Sequence, residues 1–205
     1  MEIEKLDLKT GDLIMFNSNP NGLFSILSNM IKIGTHSNYT HIGMILKDPS
    51  FISPSLKGLY VWESGWEGEP DPQDNKIKLG VQITPLTQMI KNFDDAQITI
   101  RKIECNSDTF NNDILNQIHK VVYEKPYDIM PLDWILAIFR KDIKPQKTNR
   151  FWCSAFVGYI YTKCGILKEN TDWSILRPCD FSVMENYLKF NDNYKLSKNE
   201  IKIKN

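Results

Sequence analysis

Short apolar runs separated by polar turns dominate the first half of the chain. Residues 13–16 follow a Gly-Asp turn, residues 41–46 follow a polar loop, and residues 59–63 follow a loop with two prolines. Apolar runs of this length, bounded by Gly, Pro, Asn, Asp and Ser, are typical of short β-strands. The pattern therefore predicts three strands, with loops over residues 34–40 and 48–58.

Two more strands and a short helix are predicted further along. Residues 81–84 form a brief apolar run, and residues 85–93 have helical spacing. Residues 97–104 alternate through Ile98 and Ile100, which favours a strand with one buried face.

Residues 64–80 interrupt this pattern with two prolines, three glycines and many charges. We interpret them as an exposed excursion from the fold. Their acidic side chains lack the ligand spacing of an EF-hand, so a solvated loop is favoured over a calcium site; these residues are Glu67, Glu69, Asp71 and Asp74.

Residues 22–33 also have helix-like apolar spacing, but four polar residues interrupt it. The stretch is too short and too polar to span a bilayer. A core-facing helix is the favoured interpretation. A lipid-facing lip is the alternative, disfavoured because Lys32 alone supplies basic charge.

Helical spacing dominates the second half of the chain. Apolar residues recur at helical intervals over 110–122, with Ser107 or Asp108 as the expected cap. A second such pattern covers residues 132–140, and Pro131 is well placed in its first turn.

The C-terminal region is predicted to hold one more helix and a polar tail. Asp180 is the expected N-cap of a helix over residues 181–188, and residues 189–205 are expected to form an edge strand or a frayed end. Without repeats or a low-complexity linker, the elements predict a single α+β domain over residues 1–205, with its core at about 10–188.

A further helix pattern carries a cysteine at its start. Cys153 precedes apolar residues that share one helical face, and Gly165 supplies a stop; these residues are Phe156, Val157, Ile160, Tyr161 and Cys164. At a helix N-terminus, the dipole and the unpaired N–H groups favour a thiolate. The alternative is a small buried apolar residue, the usual situation of a free cysteine.

Composition narrows the function classes. The chain has 205 residues, 41% of them hydrophobic, which suits a globular domain. Lys plus Arg and Asp plus Glu each number 25, so no basic surplus indicates nucleic acid. The N-terminus lacks signal-peptide order, which predicts a cytoplasmic protein. Without a CxxC pair, the cysteines are expected to be free thiols: Cys105, Cys153, Cys164 and Cys179.

A nucleophilic thiol needs a base, and the chain has three histidines. His119 is interpreted as a surface residue of a helix, and His36 as a residue of a solvated loop. His41 begins a predicted strand, which is a rigid mount for a general base. Glu63 ends the next strand and is a candidate to orient the imidazole, although a solvated strand-end carboxylate explains it equally well.

The backbone N–H of Cys153, at the helix N-terminus, is the first expected hydrogen-bond donor to an oxyanion. The second donor stays open among Tyr39, Asn38 and Tyr127. Competing chemistries find little support: the chain has no GxSxG, Walker or GxGxxG motif, and His36, His41 and a cysteine do not form a tight zinc motif.

Several short motifs follow one another in a defined order along the chain. They are Gly11-Asp12-Leu13-Ile14, Tyr39-Thr40-His41-Ile42-Gly43, Trp62-Glu63, Lys125-Pro126-Tyr127-Asp128, Phe151-Trp152-Cys153-Ser154 and Arg177-Pro178-Cys179-Asp180. This order resembles the circularly permuted papain-like enzymes, in particular the YiiX/YaeF-like amidases of the NlpC-type superfamily, with bacterial and poxvirus members. Lecithin–retinol acyltransferase is a more distant relative of the same group.

The resemblance implies a permuted papain-like fold: a short antiparallel sheet or half-barrel packed against helices that include the nucleophile helix. It implies Cys153 as nucleophile, His41 as base and Glu63 as the third member of a triad. Tyr127 and Asp128 match a segment near the cleft. The residues expected to contact substrate are Tyr39, Asn38, Tyr127 and Trp62.

The expected function is a cysteine hydrolase of the amidase or peptidase type that cleaves an amide or ester bond through an acyl-enzyme. One alternative is a lipid-acting phospholipase or acyltransferase, and another is a non-catalytic binding module. The expected substrates are a peptide, an acylated peptide or a lipid, with peripheral membrane contact as an option. We expect no metal or organic cofactor and no nucleic acid. A viral origin would place the protein in host cytoplasm or virion, and the oligomeric state stays open.

Overall fold

The computed structural model describes residues 3–17, 39–129 and 147–204. The expectations for residues 22–33 and 132–140, and for His36 and Asn38, lie outside this described part of the chain. Within it, no helix has both the length and the apolar character needed to cross a membrane.

The described elements form an α+β architecture around an antiparallel sheet. The strands are β1 (Leu13–Asn17), β2 (His41–Lys47), β3 (Leu59–Pro70), β4 (Ile77–Pro85), β5 (Gln97–Arg101), β6 (Ile103–Glu104), β7 (Lys195–Leu196) and β8 (Ile201–Lys204). Six of them form one sheet in the order β4-β3-β2-β1-β5-β8, and β6 pairs with β7 separately. The helices are α1 (Leu86–Asn92), α2 (Asn112–Val122) and α3 (Cys153–Lys163), accompanied by short 3₁₀ turns at Ile3–Leu6, Trp173–Ile175 and Pro178–Phe181. The predicted α+β class is confirmed.

Both faces of the sheet are covered, because side chains alternate along each strand. One face packs against α3 through residues such as Met15, Met44 and Trp62. The other packs against α1 through Ile14, Val61 and their neighbours. Burying both faces makes the sheet a rigid middle layer on which site residues can be mounted.

Helix α3 begins and ends where the sequence predicts. Gly165 has a φ of +70°, and the N–H groups of Gly165 and Ile166 donate to the carbonyls of Thr162 and Tyr161 at 3.1 and 2.9 Å. This Schellman arrangement satisfies the last carbonyls of the helix. The prediction of a single apolar face is wrong, because every residue of Cys153–Tyr161 is buried. The helix lies inside the core rather than on its surface.

The segment 64–80 is largely exposed from residue 66 onwards, as predicted, but its interpretation as a loop is wrong. β3 continues to Pro70 and pairs with β4, so the segment forms a hairpin. The glycines of this hairpin let neighbouring segments approach the strands closely, and they do not interrupt the strands. A Cβ on Gly80 would lie 2.3 Å from the carbonyl oxygen of Lys125, which runs alongside β4. Pro70 stands at the last position of β3, where the turn makes its missing N–H harmless.

The predicted strand over 97–104 is interrupted, and its burial differs from the prediction. β5 ends at Arg101 and β6 begins at Ile103. Thr99, between the two buried isoleucines, is also fully buried. The reason is that Thr99 pairs with Met15 and shares its face of the sheet, which packs against α3, while Ile98 and Ile100 face the other covered side.

Two predicted helix caps also need correction. Helix α2 is capped by Asn111, whose Oδ1 accepts from the N–H of Ile114 at 3.0 Å, rather than by Ser107 or Asp108. Phe110 precedes the helix because its ring packs directly on Gly11, where a Cβ would lie 2.1 Å from it. That contact holds the preceding residues as a turn.

Asp180 does not cap a helix over residues 181–188. It lies inside the 3₁₀ turn Pro178–Phe181, and its Oδ2 accepts from the N–H of Arg177 at 2.8 Å. Ser182 is extended and ends the turn. The polar tail, in contrast, provides β8 at the edge of the main sheet, paired with β5, and so confirms the edge-strand prediction. The single-domain assignment stays a prediction.

Candidate functional site

Cys153 is the first residue of helix α3, as the sequence predicts. The cap residue Trp152 is extended and offers no side-chain acceptor to the first turn. The first N–H groups of an α-helix have no partner within the helix. Cys153 therefore lies where the helix dipole and free backbone donors favour negative charge.

The residues on either side of Cys153 are held by hydrogen bonds. The carbonyl of Phe151 accepts from Ser64 Oγ at 2.7 Å. The carbonyl of Leu176 accepts from both Trp152 Nε1, at 3.2 Å, and Ser154 Oγ, at 2.7 Å. These bonds join the start of α3 to β3 and to the loop before the Pro178 turn. The backbone at Cys153 is consequently positioned from two directions.

The segment Lys125 to Asp128 lies against the start of α3. Phe151 donates its N–H to the carbonyl of Pro126 at 3.1 Å, and Asp128 donates its N–H to the carbonyl of Phe151 at 3.0 Å. Arg150 Nε and Asp128 Oδ1 form an ion pair at 3.0 Å. This parallel bridge brings Tyr127 to the site. Burial raises the pKa of Tyr127 well above its ordinary value, and the charges of Cys153, Asp128 and Glu63 raise it further.

His41 is the first residue of β2 and contacts Glu63 on β3 through Nε2 and Oε2. The register pairs Met44 with Trp62. Continued along the strands, it sets His41 opposite Gly65, so Glu63 lies diagonally across from the imidazole. The missing side chain of Gly65 makes room for this contact: a Cβ there would lie 3.0 Å from Glu63 Oε2 and 3.2 Å from His41 Cε1.

The imidazole of His41 also forms a hydrogen bond with Cys153. Because Nε2 is engaged by Glu63, Nδ1 is the nitrogen left to face the thiol. Burial lowers the pKa of His41, but the hydrogen bond to Cys153 and the charges of Cys153 and Glu67 raise it more, and the net pKa is above the ordinary value.

Two aromatic rings hold the plane of the imidazole. The ring of Phe93, just after α1, stacks on His41 with 6.0 Å between centroids and 7° between planes. The ring of Phe16 on β1 lies at 5.6 Å, tilted by 43°. Packed aromatic neighbours restrict rotation of the base, which favours a fixed direction for proton transfer.

Glu63 is fully buried. The net pKa of its carboxyl group is raised to about 8, mainly by burial; the charge of Asp71 adds to the rise, and the hydrogen bonds with Glu67 and the Thr84 hydroxyl oppose it. One oxygen contacts His41, while Oε1 has no hydrogen-bond partner among the residues that the structure describes. Glu63 is therefore a buried carboxyl group whose charge depends on its immediate neighbours.

Glu67 belongs to this group, although the sequence analysis placed it in an exposed loop. Its Oε2 accepts from Asn92 Nδ2 at 3.1 Å, and its carboxyl group lies beside that of Glu63. The net pKa of Glu67 is raised to about 8, first by burial and then by the charge of Glu63, while Asn92 and His41 act in the opposite direction. The four-residue spacing from Glu63, an even number that keeps both side chains on one face of a strand, was the signal, usable only if the strand is known to continue past Gly65.

The other predicted substrate contacts lie in different surroundings. Tyr39 directs its hydroxyl to Glu200 Oε2 at 2.7 Å, in the C-terminal segment. Trp62 is fully buried and packs against Phe156, so its position is that of a core residue. Tyr127 is the predicted contact that the structure brings to Cys153. Their roles in substrate binding stay predictions.

His119 is half-buried rather than fully on the surface. Its Nε2 forms a hydrogen bond with Gln73 Oε1 at 2.8 Å, and its ring packs against Trp62 and Tyr123. Burial lowers its pKa. These contacts belong to the hairpin turn and not to Cys153. Elsewhere in the described ranges, no three side chains of His, Cys, Asp or Glu gather in an arrangement that could hold a metal ion.

Comparison with known proteins finds a structural likeness to a solved protein. No protein-family model matches the chain. No curated protein sequence matches it either. The chain is similar to the solved structure of the metalloprotein YiiX from Escherichia coli O157:H7 (DUF1105), with a TM-score of 0.49 and 24% sequence identity. The match covers 76% of this chain and 66% of YiiX, so this chain spans just under two thirds of that protein. YiiX gives its name to the group that the motif order resembles. At this TM-score the likeness carries nothing about the site.

Proposed function

We propose that this protein is a cysteine hydrolase that cleaves an amide or ester bond, with Cys153 as nucleophile, His41 as general base and Glu63 as the residue that orients the base. The supporting observation is the placement of one imidazole between a buried carboxyl group and a cysteine at the first position of a helix. A nucleophile, a base and an orienting group in contact are the signature of covalent catalysis.

The chemistry follows from these contacts. His41 Nδ1 takes the proton of the Cys153 thiol, and the thiolate attacks the carbonyl carbon of the substrate. The resulting imidazolium is stabilised by Glu63 through Nε2. It then protonates the leaving amine or alcohol as the tetrahedral intermediate collapses to a thioester. Water, deprotonated by His41, attacks the thioester and releases the acid and the free thiol.

The oxyanion of each tetrahedral intermediate would be stabilised by the backbone N–H of Cys153 at the uncapped start of α3. Tyr127 is the better placed of the side chains considered as second donor. Its pKa is held above the ordinary value, so the phenol keeps its proton across the neutral range, and it lies near Cys153. The hydroxyl of Tyr39 is already engaged by Glu200.

Site-selective alkylation tests the proposal. We expect iodoacetamide, at limiting concentration, to label Cys153 before the other three thiols. Cys153 is 3% exposed, whereas Cys105 is partly exposed. Labelling governed by access alone would therefore favour Cys105, and preferential labelling of Cys153 would demonstrate activation. Peptide mapping by mass spectrometry measures the order.

Two variants complete this test. His41→Ala is expected to lower the labelling rate of Cys153 by about a hundredfold, since a general base contributes at least that much. His119→Ala is the matched control, because His119 hydrogen-bonds Gln73 in the hairpin turn. Uniform slow labelling of all thiols, unchanged in His41→Ala, would refute an activated nucleophile and favour a non-catalytic binding module.

Membership in the permuted papain-like group is part of the proposal. It is supported by His41 on β2 preceding Cys153 on α3 in the chain. YiiX is described as a metalloprotein. Because the described residues do not gather into a set that could hold a metal ion, no step proposed for this chain is routed through a metal.

A lipid-acting enzyme is the second candidate, favoured by an exposed apolar strip on the hairpin that carries Glu63. Trp66 and Leu79 are cross-strand neighbours, 50% and 39% exposed, and Ile77 is 55% exposed on the same face of β4. Large exposed apolar side chains next to a catalytic centre suit an acyl chain. Hydrolysis of a short-chain peptide amide but not of phospholipid vesicles would favour the amidase; Cys153-dependent deacylation of the vesicles would favour the lipid enzyme.

A further inference from the structure

We propose that Glu67 is a positioning residue of this site: its protonated carboxyl group donates a hydrogen bond to the carboxylate of Glu63, so that the pair carries one negative charge. The inference deepens the proposed function and rests on the roles proposed for His41 and Glu63. Glu67 reaches the reacting thiol only through Glu63 and His41.

The strand geometry puts the two carboxyl groups together. Glu63 and Glu67 are on the same face of β3, with Gly65 between them, and side chains two apart on a strand share a face. Gly65 leaves the intervening position open, since a Cβ there would lie 3.0 Å from Glu63 Oε2. Asn92 on α1 donates to Oε2 of Glu67 at 3.1 Å. Oε1 of Glu67 is therefore the oxygen left to carry a proton.

Glu63 Oε1 needs a donor, because the contacts of Glu63 with His41 and the Thr84 hydroxyl leave that oxygen without one. Glu63 is fully buried, its Oε2 contacts His41, and its Oε1 has no hydrogen-bond partner among the described residues when neighbouring carboxyl groups count only as acceptors. A buried acceptor without a donor is costly. Protonation of Glu67 supplies an O–H donor to Glu63 and removes one of two adjacent negative charges. One proton therefore relieves both the unpaired acceptor and the charge repulsion.

The charged and polar groups around Glu63 and Glu67 explain why this pair of carboxyl groups keeps one proton. Within the described ranges they are His41 on β2, Asp71 in the hairpin turn, Thr84 on β4, Asn92 on α1, and Cys153 with Tyr127 across the imidazole. His41 is the cation among them, and Asp71 adds a negative charge. Two adjacent carboxylates beside a third cannot both ionise cheaply.

The contacts of the two groups assign the proton to Glu67. Glu63 Oε2 contacts the imidazole of His41, whose positive charge when protonated favours an ionised Glu63, whereas Glu67 has the neutral amide of Asn92 as its donor. The directions of the pKa effects agree, because the hydrogen bond between the two groups raises the pKa of Glu67 and lowers that of Glu63. The two groups titrate as a coupled pair, in which Glu67 holds the shared proton. The consequence is a carboxylate held towards His41 Nε2 by a donor on its far side.

Carboxyl ¹³C NMR of the full-length chain, with glutamate labelled, tests the pairing without an activity assay. In Glu67→Gln, the amide is a permanent donor, and we expect the titration of Glu63 to move to lower pH. In Glu67→Leu, the donor is lost in a side chain of similar size, and the titration of Glu63 should move to higher pH. Shifts in the same direction, or no glutamate titrating near pH 8 in the wild type, would overturn the inference.

Cys153 alkylation supplies the second readout. Glu67→Gln should keep the wild-type rate at neutral pH within about threefold, while Glu67→Leu should lower it roughly tenfold because the base is less well oriented. Equal rates in the two variants would overturn the positioning role. If Cys153 is unreactive even in the wild type, the proposed function fails, and the NMR titrations still decide the carboxyl pair by themselves.

Discussion

Glu63 and Asp71 are two buried carboxyl groups on one hairpin, and their partners differ in kind. Asp71 Oδ2 accepts from Lys78 Nζ at 2.8 Å and from Gln73 Nε2 at 2.6 Å, and Oδ1 accepts from the N–H of Gln73 at 3.0 Å. Glu63 instead contacts an imidazole and a second carboxyl group. The partners of Asp71 keep their charge or dipole at neutral pH, while both partners of Glu63 can gain or lose a proton.

The difference separates a structural carboxylate from a functional candidate. Lys78 also pairs with Asp74 at 2.7 Å, so the turn forms a small ion network that closes the hairpin. At the other end of the hairpin, the desolvation of Glu63 is left partly uncompensated, which raises its pKa to about 8. Buried groups whose protonation is poised near neutral pH are concentrated at catalytic sites.

Removing the charge of Glu63 should have the largest effect. Glu63→Gln is expected to lower the alkylation rate of Cys153 by about a hundredfold, because the imidazolium loses its counter-charge. Stopped alkylation followed by mass spectrometry measures the rate. The free energy of unfolding at neutral pH should change by less than about 1 kcal/mol, since a buried carboxyl group without a permanent cation contributes little stability.

A loss of folding stability in Glu63→Gln as large as the loss caused by a change at Asp71 would contradict the distinction between the two carboxyl groups. The same variant with unchanged Cys153 reactivity would remove Glu63 from the proposed triad.

Breaking the ion network should affect stability instead. Lys78→Met removes the ammonium group beside Asp71, whose side chain is fully buried, and leaves that carboxylate without its cation. We expect a loss of about 3 kcal/mol in the free energy of unfolding, because an unpaired buried charge is costly. Urea denaturation measures it. The double variant Lys78→Met with Asp71→Asn should recover part of the loss, and its failure to do so would argue against the charge as the cause.

Filling the space at Gly65 should impair the site more than the fold. In Gly65→Ala, the new methyl group would lie 3.0 Å from Glu63 Oε2 and 3.2 Å from His41 Cε1, so both must shift by a few tenths of an ångström. We expect roughly a tenfold lower alkylation rate of Cys153. Glu69→Ala, an exposed change on the same strand, is the matched control. Equal rates in both variants would show that the close contact is unimportant for reactivity.

A pH-dependent change in stability is expected at Glu67. Its pKa rises from an ordinary value of 4.5 to about 8 on folding. The folded state therefore binds more protons than the unfolded state between these values, and this group makes stability fall as pH rises from about 4.5 to about 8. Glu67→Gln should flatten that decline, giving a higher melting temperature than wild type at pH 9 relative to pH 5. Parallel melting curves for the two proteins across this range would contradict the assignment.

Local patterns were sufficient for the elements that carry the proposed nucleophile and base. Strand β2 is a continuous apolar run that begins at His41, and helix α3 combines apolar spacing with a glycine at its left-handed C-terminal position. Both signals depend on neighbours within a few residues, which is the range over which backbone preferences act. The start and the end of α3 could therefore be predicted.

The residues around the proposed triad depended on contacts that no local pattern contains. Glycines and prolines in residues 64–80 are typical of a loop, but Gly65 and Gly80 face close neighbours in a hairpin. Asp180 has the chemistry of a helix cap, yet it closes a short turn by accepting from Arg177. For Gly65 and Gly80 the deciding neighbours include residues from distant sequence, His41 and Lys125, whereas for Asp180 the deciding contact is local and the turn type could not be told from the residue alone.

By itself, the sequence determined the α+β class, the strand that begins at His41 and the helix that begins at Cys153, because hydrophobic period and turn chemistry are local properties. Only the tertiary structure decided that β3 runs on past Glu63, that Glu67 lies beside it and that the Tyr127 segment supports the start of α3. Desolvation and charge coupling set the protonation of such groups, and both arise only when chain segments that are far apart in sequence pack together.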